Sequence, residues 1–162
     1  MDLGAGTGRN VPYYPKVASV VAVDSSPFML SRARDRLRRY GKRAECAVMD
    51  ARRLDFPDHC FDVCVSTFLF CVLPDEMQPQ VLREIRRVLK KDGSFVLNVA
   101  GAWQKGQPVR SLYHFKLLIA LVETVKFHLA QEVYWYNPAK IPSPTEWVNV
   151  RRIRIKDSVE PC

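Results

Sequence analysis

The stretch Asp2-Leu3-Gly4-Ala5-Gly6-Thr7-Gly8-Arg9-Asn10 is the part of this chain whose residue types and spacing are most directly suited to chemistry. Glycines at every second position make a turn that a side chain would block. They let the backbone approach a ligand closely and adopt φ values closed to other residues. The spacing is G-x-G-x-G, not the G-x-G-x-x-G of dinucleotide-binding loops. Two carboxylates follow in order. Asp24 ends the run VASVVAV, and a carboxylate at such a strand end can accept from both hydroxyls of a ribose. Asp50 ends AECAVM, where it could accept from an adenine amino group. Each aspartate alone reads equally well as a helix cap or a loop carboxylate. Three such features in order, at the same end of three successive strands, point to one nucleoside-sized cleft.

The elements that must position these residues alternate. Residues 17–23 are rich in Val and read as a buried strand. Residues 27–40 read as a helix, with Ser25 or Ser26 as cap, Pro27 in the first turn and Gly41 as the stop. Residues 44–49 read as a strand, and so do 61–66, extended by FLFCVL. Residues 75–90 place Met77, Val81, Leu82, Ile85, Val88 and Leu89 at helical spacing. Asp92-Gly93 reads as a turn and 94–99 as a further strand. Strand and helix in alternation, with almost no two-residue hairpins, predict an α/β fold: a doubly wound, mostly parallel sheet covered by helices. Ligands bind such sheets outside the carboxyl ends of the strands. Beyond residue 100 the pattern changes. Residues 111–130 read as a helix broken near Thr124. Pro138, Pro142 and Pro144 then separate two strand-like pieces, 132–136 and 147–155, as a long hairpin or protruding loop. No apolar strand is expected at Glu160-Pro161-Cys162 to close it. The predicted organisation is a core over 1–98, and over 99–162 a helix plus proline-rich hairpin belonging to the same domain.

A length of 162 residues suits one domain, and 48% apolar residues suffice for a core. No stretch reaches the roughly 18 apolar residues of a membrane span. The N-terminus Met1-Asp2-Leu3-Gly4 shows no export signal, so a cytoplasmic protein is expected. The odd set Cys46, Cys60, Cys64, Cys71 and Cys162 forms no C-x-x-C pair, and reads as reduced, buried thiols with no metal site. The net charge of +8 comes from 16 basic against 12 acidic residues in 1–92 and 9 against 5 in 93–162. Spread in this way, it permits a nucleic-acid partner without indicating one. The arginines 32, 34, 36, 38 and 39 read as a solvated helix face.

Residues 2–98 resemble the class I S-adenosylmethionine (SAM) dependent methyltransferases, most of all the ubiquinone/menaquinone-biosynthesis type. The stretches that carry the resemblance are DLGAGTGRN, VVAVDSSPFML, MDARRLDFPDHCFDVCVS and REIRRVLKKDGSFVLNV. It implies a Rossmann-like fold and SAM as cofactor, which has no pyrophosphate to seat. It implies that Gly4, Ala5, Gly6 and Gly8 shape the pocket while Asp2 holds the loop or the methionine amino group. Asp24 with Ser25 would take the ribose, Asp50 with Ala51 the adenine, and Met29 would pack on the adenine ring. Ser66, at the end of the fourth strand, would line the methyl-transfer side as the candidate catalytic position. The family carries four or five apolar residues, and a helix, ahead of the motif aspartate. Here Met1 alone precedes Asp2, so a truncated first strand is expected.

Residues 93–160 resemble a different group, the site-specific DNA methyltransferases that modify cytosine-N4 or adenine-N6. The stretches are DGSFVLNVAGAWQKGQPVRSLYHFKLLIAL and LAQEVYWYNPAKIPSPTEWVNVRRIRIKD. This resemblance implies DNA as partner, reached by base flipping. Arg152, Arg154 and Lys156 alternate on one strand face, Arg110 and Lys140 add candidate phosphate contacts, and Trp135, Tyr136 and Trp147 flank the proline loop. Those enzymes carry [D/N/S]-P-P-[Y/F/W] after the fourth strand, where this chain reads Ser66-Thr67-Phe68-Leu69-Phe70. Three functions therefore stand side by side: methylation of a DNA base, methylation of a small molecule of quinone type, and a SAM-binding module without activity. Transfer from a sulfonium is a direct displacement, so alignment and water exclusion are the protein's main tasks. His114 and His128 read as structural.

Overall fold

The computed structural model describes residues 1–16, 18–41, 44–102, 104, 109–136 and 159–161. The chain divides into two compact units, Met1–Leu97 and Asn98–Cys162.

The first unit is built on a five-stranded sheet. Its strands are β1 (Asp2–Leu3), β2 (Val20–Asp24), β3 (Ala44–Val48), β4 (Phe61–Thr67) and β5 (Leu89–Asn98), in the order β3-β2-β1-β4-β5. The pairs β1–β2, β1–β4 and β2–β3 are parallel. The order reverses at β1, so the glycine turn that follows β1 leaves the sheet where such folds bind ligands. The predicted Rossmann-like fold is thus the one observed, and β1 is a two-residue stub.

Helix α1 (Pro27–Arg39) begins as its sequence requires. The Ser26 side chain accepts from Met29 N–H at 3.3 Å, Pro27 opens the first turn, and Gly41 sits at φ +59° beyond the end. Its inner face buries Leu30, Ala33 and Leu37; Leu30 and Ala33 join Ala5 and Ala22 in one cluster. Its arginines form the expected solvated face, with Arg32 stacked 4.6 Å from the Phe28 ring centroid. Helix α2 (Gln78–Val88) buries Val81, Leu82, Ile85 and Val88, the i, i+1, i+4, i+7 stripe of a helix packed on a sheet.

Several boundaries differ from the sequence reading. The apolar run 68–73 does not extend β4 but turns back, with Phe68 at φ +60° and Phe70 buried. Helix α2 starts at Gln78 rather than 75 and ends at Val88, because Leu89 enters β5; Asp92-Gly93 lies within that strand's span. The thiols also differ: Cys64 is buried, Cys46 and Cys60 are half-buried, and Cys71 is exposed.

In the second unit the helical segment is shorter than 111–130. Helix α3 (Tyr113–Ile119) continues as a π-helical turn over Ala120–Thr124 and is stopped by Lys126 at φ +64°. Leu117 and Leu121 are its buried positions, and the Tyr113 hydroxyl donates to the Ala100 carbonyl. Strand β6 (Tyr134–Tyr136) pairs antiparallel with β7 (Val159–Pro161), Trp135 opposite Glu160. This corrects the expectation that the chain's last residues offer no closing strand. The predicted strand 147–155 and the prolines before it lie outside the described residues.

Candidate functional site

Gly4, Gly6 and Gly8 all take positive φ, +73°, +53° and +72°. Gly4 N–H and Ala5 N–H both donate to the Val23 carbonyl, at 2.9 and 3.0 Å, tying the turn to the end of β2. The three glycines serve different ends. A Cβ on Gly4 would lie 2.9 Å from the Leu69 Cβ, and one on Gly8 would lie 3.1 Å from the Ala33 Cβ. A Cβ on Gly6 would meet nothing nearer than the Gly4 carbonyl at 4.0 Å. Gly4 and Gly8 are thus required by packing, whereas Gly6 keeps open space above the turn.

Asp24 lies beside that space. One oxygen accepts from Gly6 N–H at 2.8 Å and the other from Ser26 N–H at 2.9 Å. A carboxylate has about four acceptor sites. Two remain, fixed in direction by two backbone donors and able to take a pair of hydroxyls. Asp50 stands on the neighbouring strand end, two residues past Val48, which is the register partner of Asp24. Met49 N–H donates to the Asp24 carbonyl at 3.1 Å, holding the two strand ends together. Ser25 and Met29 are exposed after β2, and Ala51 is half-buried after Asp50. The arrangement brings the glycine turn and both aspartates to one edge of the sheet.

The Asp50 side chain is not free. Arg52 Nη2 approaches one carboxylate oxygen at 2.6 Å, while Arg52 Nε and its backbone N–H reach the other at 3.0 and 2.8 Å. These hydrogen bonds hold the Asp50 carboxyl below its ordinary range. Both partners are about half exposed, so the pair is weak and can open. The loop that follows is fastened to α2. Arg87 donates to the Leu54 and Phe56 carbonyls at 2.8 Å, to Asp58 at 2.7 Å and to Glu84, while Glu84 accepts from Leu54 N–H at 2.8 Å. The guanidinium and the Leu54 amide lower the Glu84 carboxyl against a smaller opposing effect of burial.

Asp2 is 1% exposed. Burial pushes its carboxyl up, against the opposing effect of the nearby Tyr14 hydroxyl and of the hydrogen bond it accepts from Asn10. Asn10 Nδ2 donates to Asp2 at 3.3 Å and to Thr67 Oγ1 at 3.1 Å, bridging the glycine turn to the end of β4. Ser66, the position singled out from sequence, is fully buried, and its hydroxyl has no partner among the described residues. The residue that faces outward there is Phe68, 51% exposed in the left-handed region. A bulky side chain held there costs on the order of 1 kcal/mol. Sequence reasoning missed Asn10, Thr67, Phe68 and Leu69 as parts of this site. The one signal was position: they flank the glycine turn and the fourth strand's end.

Of the basic residues predicted to meet phosphate, Arg110 is half-buried in the second unit, its guanidinium packed against Gly101. Lys140, Arg152, Arg154, Lys156 and Trp147 lie outside the described residues. Trp135 and Tyr136 lie on β6. No helix among the described residues is long and apolar enough to cross a membrane.

The fold and edge geometry define a class, the Rossmann-like domains that hold a nucleoside ligand at the carboxyl ends of parallel strands. Comparison with known proteins narrows it. Residues 1–97 match a family described as a methyltransferase domain, and the chain belongs to that SAM-dependent methyltransferase family. It is 53% identical over 75 residues to the Type II methyltransferase M.PvuII of Proteus hauseri, covering 46% of this chain and 22% of that protein. It is 33% identical over 130 residues to the ubiquinone/menaquinone biosynthesis C-methyltransferase UbiE of Cupriavidus metallidurans, covering 77% and 53%. Among solved structures, the PH0226 protein of Pyrococcus horikoshii OT3 is 33% identical with a TM-score of 0.55, covering 59% and 46%. The chain thus spans about half of the UbiE relative and less than a quarter of M.PvuII. The residues fit SAM: open space at Gly6 and two unused acceptor sites on Asp24 are what its amino-acid tail and ribose require.

Proposed function

We propose that this chain binds SAM and transfers its methyl group to an acceptor held at the carboxyl edge of the sheet. The observation that carries the reading is the Asp24 carboxylate, fixed by Gly6 N–H and Ser26 N–H against the glycine of the turn that, unlike Gly4 and Gly8, has room above it. Gly4 to Gly8 would cradle the amino-acid tail, Asp24 the ribose hydroxyls, and Asp50 with Ala51 the adenine, with Met29 against its face. The bound cofactor supplies a methyl group already activated on a sulfonium. The chain's own residues then bind, orient and exclude water, the terms that dominate a direct displacement. The unbridged thiols of Cys46, Cys60 and Cys64 suit a reducing compartment, and we place the protein in the cytoplasm.

The acceptor has two readings. The likeness to M.PvuII favours an exocyclic amino group of a DNA base. The likeness to UbiE, and the absence of prolines in Ser66–Phe70, favour a small molecule of quinone type. Tritium transfer from methyl-labelled SAM separates them. Label in duplex DNA that falls steeply as salt is raised supports the first. Label confined to a hydroquinone supports the second. No SAM binding by the intact chain overturns both.

A further inference from the structure

Helix α1 carries more positive charge than its own stability calls for. Its 13 residues hold five arginines and a single acid, Asp35. The helical repeat sorts the arginines by face. Arg34 reaches toward β3, where its guanidinium donates to the Cys46 carbonyl at 3.2 Å, and Arg38 pairs with Asp35. The other three, Arg32, Arg36 and Arg39, follow at i, i+4 and i+7 on the side away from the buried Leu30, Ala33 and Leu37. Among the described residues, none of these three meets a carboxylate within ion-pair distance. Like charges at such spacings repel and weaken a helix, whereas a glutamate four residues before an arginine strengthens it. The helix dipole accounts for cations in the last turn, where Arg36, Arg38 and Arg39 lie. It accounts neither for Arg32 nor for the lack of any acid in the first turn.

We propose that the Arg32–Arg36–Arg39 face of α1 is a docking surface for a nucleic-acid phosphate backbone, bound without regard to sequence. The three positions span about 11 Å along the helix axis. Each guanidinium is a planar fork that fits a phosphate. Phe28 and Tyr40, at the two ends of the helix, are 61% and 52% exposed, and offer rings on which bases stack. An anionic membrane is the other polyanion that such charge could meet. A helix lying on lipid, however, puts its apolar face into the acyl boundary. The apolar face of α1 is already buried within the protein, through Leu30, Ala33 and Leu37. The arginine face uses none of the groups assigned to SAM, so this surface stands apart from the cofactor reading and from the nature of the methyl acceptor.

The test titrates the full chain into fluorescein-labelled DNA of arbitrary sequence, duplex and single-stranded in separate series, by anisotropy over a range of KCl concentrations. The wild type should bind at low salt and weaken steeply as salt is raised. The triple variant Arg32→Gln/Arg36→Gln/Arg39→Gln should bind at least tenfold more weakly. Its log–log salt slope should be shallower by about 2.7 on duplex, or about 2.1 on single strands, the share of three phosphate contacts. Lysine at the same three positions should keep the wild-type slope. A charge-matched control at exposed positions elsewhere, Arg83→Gln/Lys91→Gln/Lys116→Gln, should weaken binding less than threefold. Glutamine is a good helix former, so the Tm of the arginine variant should equal or exceed that of the wild type. Should that variant lose its fold, the single reversal Arg39→Glu takes its place, with at least a threefold loss expected. Absence of wild-type DNA binding at low salt overturns the proposal. Equal weakening in the control overturns it too, as does binding to phosphatidylserine vesicles without binding to DNA.

Discussion

Gly6 and Gly41 offer a matched pair for separating backbone strain from ligand space. Both sit in the left-handed region, at φ +53° and +59°. Neither would crowd its surroundings as alanine: a Cβ on Gly41 has nothing within 4 Å, and one on Gly6 has only the Gly4 carbonyl at 4.0 Å. Each substitution should therefore cost only the left-handed conformation, about 1 kcal/mol. For a chain of this size that is a melting shift of about 2–4 °C. They should part company in binding. The methyl group of Gly6→Ala projects into the space assigned to SAM, so calorimetry should show at least a tenfold loss of affinity, about 1.4 kcal/mol. Gly41→Ala should bind SAM as the wild type does. Gly8→Ala provides the opposite extreme. Its Cβ would meet the Ala33 Cβ at 3.1 Å and Val11 Cγ2 at 3.2 Å, adding about 1–3 kcal/mol of overpacking to the strain. SAM affinity unchanged in Gly6→Ala would refute the reasoning, as would equal losses in Gly6→Ala and Gly41→Ala.

Three further outcomes follow from the same contacts. Arg52→Ala should leave SAM affinity unchanged or raise it up to about fivefold at low salt, because it removes a competitor for Asp50 in an exposed, weak pair; titration calorimetry checks this, and a loss of affinity would contradict it. Arg87→Ala should destabilise the fold by roughly 2–4 kcal/mol in urea unfolding, since it strands the Leu54 and Phe56 carbonyls and Glu84 together. The Glu84 carboxyl is lowered in the folded state, so its contribution is present at neutral pH and lost as pH falls below the usual glutamate value of about 4.3. Glu84→Gln should accordingly flatten the acid limb of a melting-temperature profile. Asp2 carries the opposite sign. Its carboxyl is raised by burial, so its protonated form favours the fold fully below the usual aspartate value of about 3.9, and that advantage is lost as pH rises. Asp2→Asn should therefore gain stability relative to the wild type as pH rises above the usual aspartate value of about 3.9.

The parts of this molecule legible in sequence are those set by local chemistry. Ser26, Pro27 and Gly41 bracket α1 because a cap, a fixed φ and a left-handed stop act within a few residues. The Val-rich run ending in Asp24 marks β2, whose Ala22 and Val23 are buried in the interior of a parallel sheet. What escaped notice depends on tertiary contact. The run FLFCVL has the composition of a strand, yet Leu69 under Gly4 and Phe70 in the core pull it inward while Phe68 is forced out. Ser66 invites a role by its polarity and place, but pleat alternation buries it. The pairing of β6 with Val159–Pro161 joins segments over twenty residues apart through a strand that contains proline, a residue normally confined to sheet edges. The Arg52–Asp50 pair could not be inferred either, since many exposed arginines near a carboxylate make no contact.

The most direct test of the central claim is a crystal structure of the full chain with S-adenosylhomocysteine. The ribose hydroxyls should lie about 3 Å from the two unused acceptor sites of Asp24, with the amino-acid tail over Gly6 and the adenine between Met29 and Asp50–Ala51. Density for the ligand anywhere else on the chain, or a ribose turned away from Asp24, would contradict the account.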